Sequence, residues 1–293
     1  MRFVDPKNDI AFKKIFGDEK HTEILISFLN AVLGFKEKEK IKKVKLLNPY
    51  QAPKIEELKE TILDIQATNE KDETFIVEMQ RKDLNNFEKR SLYYTSKAYI
   101  QQLDKGKDYS KLKKVYFIGI VNFKMFEGES CITKHLIVNQ ETQNQDLDMF
   151  EFVFVELPKF KIKRDEIEKL ESIEDKWIWF LKHTQKLEVV PEKLEKIEEF
   201  KEAFLIASQY KWSKKDIEVY DYIALKEYDD INALETSFGK GKVAGKIEGI
   251  EEGKKLQQRE IAKNLLEVGV DKATIAVSTG LSVDEIELLV KNR

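Results

Sequence analysis

Cysteine is almost missing: Cys131 is the single one in 293 residues, so no disulfide within the chain can staple it. Three histidines beside one cysteine leave the usual Cys/His zinc sites short of ligands. No run of about 18 apolar residues occurs, so no membrane span is expected. The amino terminus, MRFVDPKNDIAFKKIFG, carries acids and lacks the apolar core of a secretory leader. These absences set the expectation of a soluble, cytoplasmic protein that meets no membrane. Net charge is lacking too: 51 Lys and Arg against 54 Asp and Glu leave −3. Any surface for nucleic acid must then be a local patch. What is present is ample: 42% hydrophobic residues, 18 Phe and 10 Tyr, enough for one good core and a second, smaller unit.

The apolar spacing of Ile10, Phe12, Ile15 and Phe16, then Ile24, Leu25, Phe28, Leu29 and Val32, predicts a helix interrupted near Gly17 and stopped at Gly34. IKKVKLLNP predicts a strand, NNFEKRSLYYTSKAYIQQL a long helix, and KKVYFIGIVNF a strand buried on both faces. HLIVNQ and MFEFVFVEL predict two further strands. After Pro158 the chain turns to Lys- and Glu-rich helical patterns anchored by Trp177, Trp179 and Phe180. Composition divides the chain into residues 1–160, 161–237 and 238–293.

LDIQATNEKDETFIVEMQ, residues 63–80, reads as a hairpin. Closed about Lys71, it pairs Ala67 with Phe75, Ile65 with Val77 and Leu63 with Met79, apolar on apolar. The same register sets Asp64 across from Glu78, with β-carbons roughly 4.5–5.5 Å apart. Facing like charges destabilise a sheet, and a hard divalent cation with oxygen ligands would offset that. Gln80 shares the face of Glu78, where its amide could position water or phosphate. The competing reading is a solvated outer face on which the acids diverge into water.

The order of NDIAFKKIFG, ISFLNAVLG, LDIQA, FIVEMQ and EKRSLYYTSKAYIQQLDKGKDYSKLKKVYFIGIVNF resembles the PD-(D/E)XK nuclease core, and more narrowly the Rpn family of recombination-promoting nucleases, often labelled transposases. The resemblance covers nearly the whole chain, most densely residues 5–123. It implies an α/β fold, a mixed sheet in a restriction-endonuclease-like core, followed by an all-helical C-terminal region. It implies Asp64 and Glu78 as metal ligands with the main-chain carbonyl of Met79, Mg²⁺ or Mn²⁺ as the metal, and Asp9 as a supporting acid. Gln80 takes the place of the superfamily's catalytic lysine, keeping a donor but losing a charge that could stabilise the transition state. Leu63 stands where the motif's name puts proline.

Residues 81–114 hold ten Lys or Arg against four Asp or Glu. Arg90, Tyr94, Lys97 and Gln101 form one helical stripe, suited with Lys13 to a DNA backbone contacted without sequence reading. Ordinary solvated lysines and a core Tyr94 are the alternative. In the tail, Gly241, Gly245, Gly249 and Gly253 recur every four residues, fitting a helix packed on a twin or a polar linker. REIAKNLLEVGVDKATIAVSTGLSVDEIELLVKN resembles a helix-turn-helix, but Asp284, Glu285 and Glu287 oppose phosphate approach. Self-association or partner binding is therefore expected of this region ahead of DNA reading. The expectation is a metal-dependent DNA endonuclease, linked to recombination or mobile-element biology. The alternative is a non-catalytic DNA-binding or protein-interaction module on the same scaffold.

Overall fold

The computed structural model describes residues 2–48, 50–51, 61–83, 86–103 and 108–291. Within the basic segment Lys105 and Lys107 lie outside the described residues, as does Pro49 in the first predicted strand.

Asn8 caps α1 (Asp9–Phe16) by accepting the Ile10 N–H at 3.2 Å, and Gly17 closes it. α2 (Thr22–Leu33) ends at Gly34, whose φ of +65° is the left-handed conformation that glycine adopts without strain. Then come β1 (Val44–Leu46), the short pair β2 (Tyr50–Gln51) and β3 (Thr61–Ile62), β4 (Ile65–Asn69) and β5 (Thr74–Gln80). α3 (Phe87–Gln101) crosses to β6 (Val115–Val121), and β7 (Ile132–Leu136) and β8 (Phe150–Glu156) complete the sheet. Its order is β1-β4-β5-β6-β8-β7, with β6 parallel to both neighbours and the other pairs antiparallel. Every residue of β6 is buried, as its unbroken apolar run demands.

Two predictions shift. HLIVNQ is not a strand as a whole: β7 runs Ile132–Leu136, and only His135 and Leu136 of that run belong to it. Being an edge strand on β8, β7 is only partly buried and carries little apolar alternation to announce it. In the hairpin, Ile65 pairs with Val77 and Ala67 with Phe75, but the ladder stops before Leu63. The chain bends at Asp64, and Leu63 packs with Ile76 on the α3 side while Ile65 faces the opposite side.

The sheet separates two cores. On one face α1 and α2 pack with α4 (Ile173–His183) and α6 (Glu198–Ala207); Trp177 stacks on Phe200 with centroids 4.0 Å apart. α5 (Glu192–Glu195) links these two helices. The other face holds Leu63, Ile76, Phe117 and Phe154 under Phe87 and Ala98 of α3. Packing thus runs without a break across residue 160, and contacts divide the chain between Ala224 and Leu225, inside α7 (Lys214–Glu267). The C-terminal part builds its own small core of Ala262, Ile275, Leu281 and Ile286 from the end of α7, α8 (Lys272–Thr279) and α9 (Val283–Lys291). No helix among the described residues is long and apolar enough to cross a membrane.

Candidate active site

The bend at Asp64 folds its side chain back toward β5. The Asp64 N–H donates to Glu78 Oε1 at 3.0 Å, and the Met79 N–H donates to Asp64 Oδ2 at 2.8 Å. The two acids therefore lock through the backbone rather than by facing across a regular ladder. Both are withdrawn from water, Glu78 with 9% of its surface exposed. Burial pushes Asp64 up to about 6, against the Met79 N–H bond and the Lys13 charge; Asp9 raises it further. Burial, then the Asp64 charge, pushes Glu78 up to about 8.

α1 supplies the cation nearest this pair. Lys13 Nζ lies 2.7 Å from Asp9 and 3.3 Å from Asp64. Burial disfavours its charge, but the Asp9 hydrogen bond and the Asp64 charge outweigh that and raise its pKa. Lys13, expected on a DNA-facing patch, bridges two of the site's acids. The i,i+4 spacing of Asp9 and Lys13 in the first helix was the available signal.

Gln80 is held at both ends: its Nε2 donates to the Lys82 carbonyl at 2.9 Å, and its Oε1 accepts from Arg90 Nη2 at 2.5 Å. Arg90 comes from the first turns of α3, rests over the Phe87 ring at 5.1 Å, and its charge lowers the pKa of Glu78. Its Nε is buried with no partner among the described residues. Tyr94, one turn on, is half-buried against the α3-side core; burial first, then the Glu78 and Asp64 charges, raises its pKa. The structure thus brings Asp9, Lys13, Asp64, Glu78, Gln80, Arg90 and Tyr94 together. Lys97 lies two turns beyond Arg90, half-buried. Sequence reasoning missed Arg81, which meets the buried Asp5 at 3.3 Å beside this edge; no local spacing announces that pair.

Among the described residues no three His, Cys, Asp or Glu side chains form a metal-holding cluster. The donors offered are Asp64, Glu78 and the Met79 carbonyl. The Gln80 carbonyl accepts from Asn122 N–H on the β6 side, so the Met79 amide and carbonyl face the Asp64 edge. Two carboxylates whose ionisation is disfavoured by burial and mutual repulsion, plus one carbonyl, fit a Mg²⁺-like ion that would favour their charged forms and keep several waters.

A mixed sheet with an acid pair on adjoining strands and a helix crossing behind it is the architecture of a PD-(D/E)XK core. Residues 6–237 match the family model described as PD-(D/E)XK nuclease family transposase. Residues 255–291 match the Rpn/YhgA-like nuclease family, C-terminal HTH domain. The chain belongs to the PD-(D/E)XK nuclease family transposases, of the Rpn/YhgA-like kind. No curated protein and no solved structure matches it.

The helix-turn-helix match agrees with α8, the left-handed Gly280 (φ +74°) and α9. Glu285 is spoken for locally: its Oε2 accepts from the Ser282 N–H and hydroxyl, both at 2.9 Å, capping α9. Glu287 pairs with Lys272 at 2.8 Å. Two of the three acids that argued against phosphate approach thus have structural partners.

Proposed function

We propose that the chain is a metal-dependent DNA endonuclease hydrolysing phosphodiester bonds. The observation that carries this is the buried Asp64–Glu78 pair, whose raised pKa values mark a site short of positive charge. Mg²⁺ or Mn²⁺ held by Asp64, Glu78 and the Met79 carbonyl would polarise the phosphodiester and supply a hydroxide-like water. The chain's own groups do the remaining work. Lys13, paired with both Asp9 and Asp64, offsets part of the acids' charge. Gln80 holds the Arg90 guanidinium over the site, and Arg90 supplies the charge that glutamine lacks. Tyr94, Lys97 and Lys13 contact the DNA backbone without reading sequence.

Residues 1–160 carry the chemistry in this reading, 161–237 brace α1 and α2, and 238–293 bind DNA through the helix-turn-helix and join copies of the chain. Supercoiled plasmid with Mg²⁺ or Mn²⁺ is the test. Nicking by the parent should vanish with EDTA and in Asp64→Ala; cleavage that survives in a clean Asp64→Ala preparation overturns the assignment. A second reading rests on Lys13, which already compensates Asp64. In that case the chain binds DNA without metal and cuts nothing, and the same assay would show a mobility shift without scission.

A further inference from the structure

A cavity of about 430 Å³ opens beside the C-terminal half of α3, within the range of small-ligand sites. Its walls include Gln66 and Thr68 of β4, Thr74 of β5, and Gln101 of α3; Lys111 and Lys113 stand at its mouth. Ile76 pairs with Gln66 in the sheet and packs on the α3 side, so these strand residues lie on the same side as Glu78. Gln66 is 9% exposed and Thr74 is 4% exposed. Both side chains line the cavity. A carboxamide and a hydroxyl on a cavity wall offer donors and acceptors to a ligand that enters it. Leu47 and Ala98 add an apolar surface, and Asp72 is the one acid on the wall among the described lining residues.

We propose that this cavity takes a single nucleotide, its base edge on Gln66 and Thr74 and its phosphate at Lys111 and Lys113. A carboxamide presents a donor and an acceptor side by side, the pattern a base edge matches. Exposed lysines at the mouth suit a phosphate that stays near water. The proposal rests on the nuclease reading for where the strand comes from. Arg90 and Gln101 mark the two ends of one stripe on α3, about 16 Å apart at 1.5 Å per residue. That spans about five nucleotides of a stacked strand and fewer of an unstacked one. A base can enter such a cavity only once out of its stack, so the preferred substrate is single-stranded or locally opened DNA.

The test is binding by the full chain in EDTA, where no cleavage is required. Single-stranded oligonucleotides carrying 2-aminopurine and duplexes of equal length are titrated against the parent, Gln66→Ala and the near-isosteric Thr74→Val. The expected result is tighter binding of the single strand, a change in 2-aminopurine emission at one position, and about tenfold weaker binding in each variant. Equal single-strand binding by the parent and both variants, with melting temperatures matched, overturns the proposal. Competition by free dAMP separates two sources of the same chemistry. Displacement of the strand from the parent but not from Gln66→Ala assigns the cavity to free nucleotide; no displacement with the variant effect intact assigns it to the substrate strand. Loss of the nicking result alone would sink the nuclease reading and leave these binding outcomes standing.

Discussion

Arg90 Nη2 donates a 2.5 Å hydrogen bond to the carboxamide oxygen of Gln80. In the proposed nuclease reading Gln80 takes the place of the superfamily's lysine, and ten residues later the chain brings a guanidinium to the same spot. A guanidinium is always charged and offers donors in a fixed fork, so it can serve both the glutamine and a phosphate oxygen.

Arg90→Ala should therefore cut the nicking rate by about 10²-fold, the usual loss for one preorganised donor. Arg90→Lys should retain part of the activity. Gln80→Lys in the Arg90→Ala background should recover more of the rate than Arg90→Ala alone, because it restores a cation at the same place. Single-turnover cleavage with saturating enzyme separates this from weakened binding. An Arg90→Ala protein that cuts at the parental rate would show that the contact only braces α3.

Stability should depend on pH through the same site. Asp64 and Glu78 keep their protons in the folded protein to about 6 and about 8, from ordinary values of 3.8 and 4.5. Between about pH 4 and pH 8 the folded state therefore binds more protons than the unfolded chain, and stability falls as pH rises through that window. Above it both states are ionised and the pair adds no further slope. Asp64→Asn combined with Glu78→Gln should flatten the profile and melt above the parent at pH 8, by at least a few degrees at roughly 2–4 °C per kcal/mol. Mn²⁺ should raise the melting temperature of the parent at pH 8 and leave the double variant unmoved. Thermal melts across this range, with and without Mn²⁺, check both statements.

Ending the chain at residue 160 should prevent folding. Phe16 and Phe28 lose Trp177, whose ring lies 5.6 and 6.3 Å from theirs, and the core loses Phe180, Phe200 and Phe204 with it. A chain of residues 1–224 keeps all of these. Circular dichroism should give a cooperative melt for the longer piece and none for the shorter.

The helices at the start, the central β6 and most of the hairpin register were legible because each is governed by a short-range period. Ile65 with Val77 and Ala67 with Phe75 follow from alternation alone. Leu63 escaped it because Asp64 breaks the strand, and a bend made by a side chain accepting the Met79 N–H leaves no mark in the apolar pattern. The acids and Gln80 were singled out as candidates by their order in the chain. Their environment was not: the Lys13 bridge and the Arg90 contact depend on how α1 and α3 approach the sheet. The change of composition at Pro158 marked the end of the sheet and not the end of the core, since the helices that follow pack beneath α1 and α2.

The extreme amino-terminal segment is fastened late in the sequence. Phe3 bridges to Ser208, the Val4 N–H donates to the Ala207 carbonyl at 2.9 Å, and the Asp5 N–H donates to the Tyr220 hydroxyl at 2.9 Å. During synthesis these partners leave the ribosome more than 200 residues after the segment that needs them. At about 5–20 residues per second, that is a wait of roughly 10–40 s. Until then α1, with Asp9 and Lys13, has only α2, the sheet and Asp64 to hold it, without the later helices that fasten the segment before it. A nascent chain can complete its hairpin and its acid pair early, yet it assembles a whole site only when almost the entire first part has been translated. A message cut short before that point would yield a chain with the acid pair in its sequence and without the partners that fasten its amino-terminal segment.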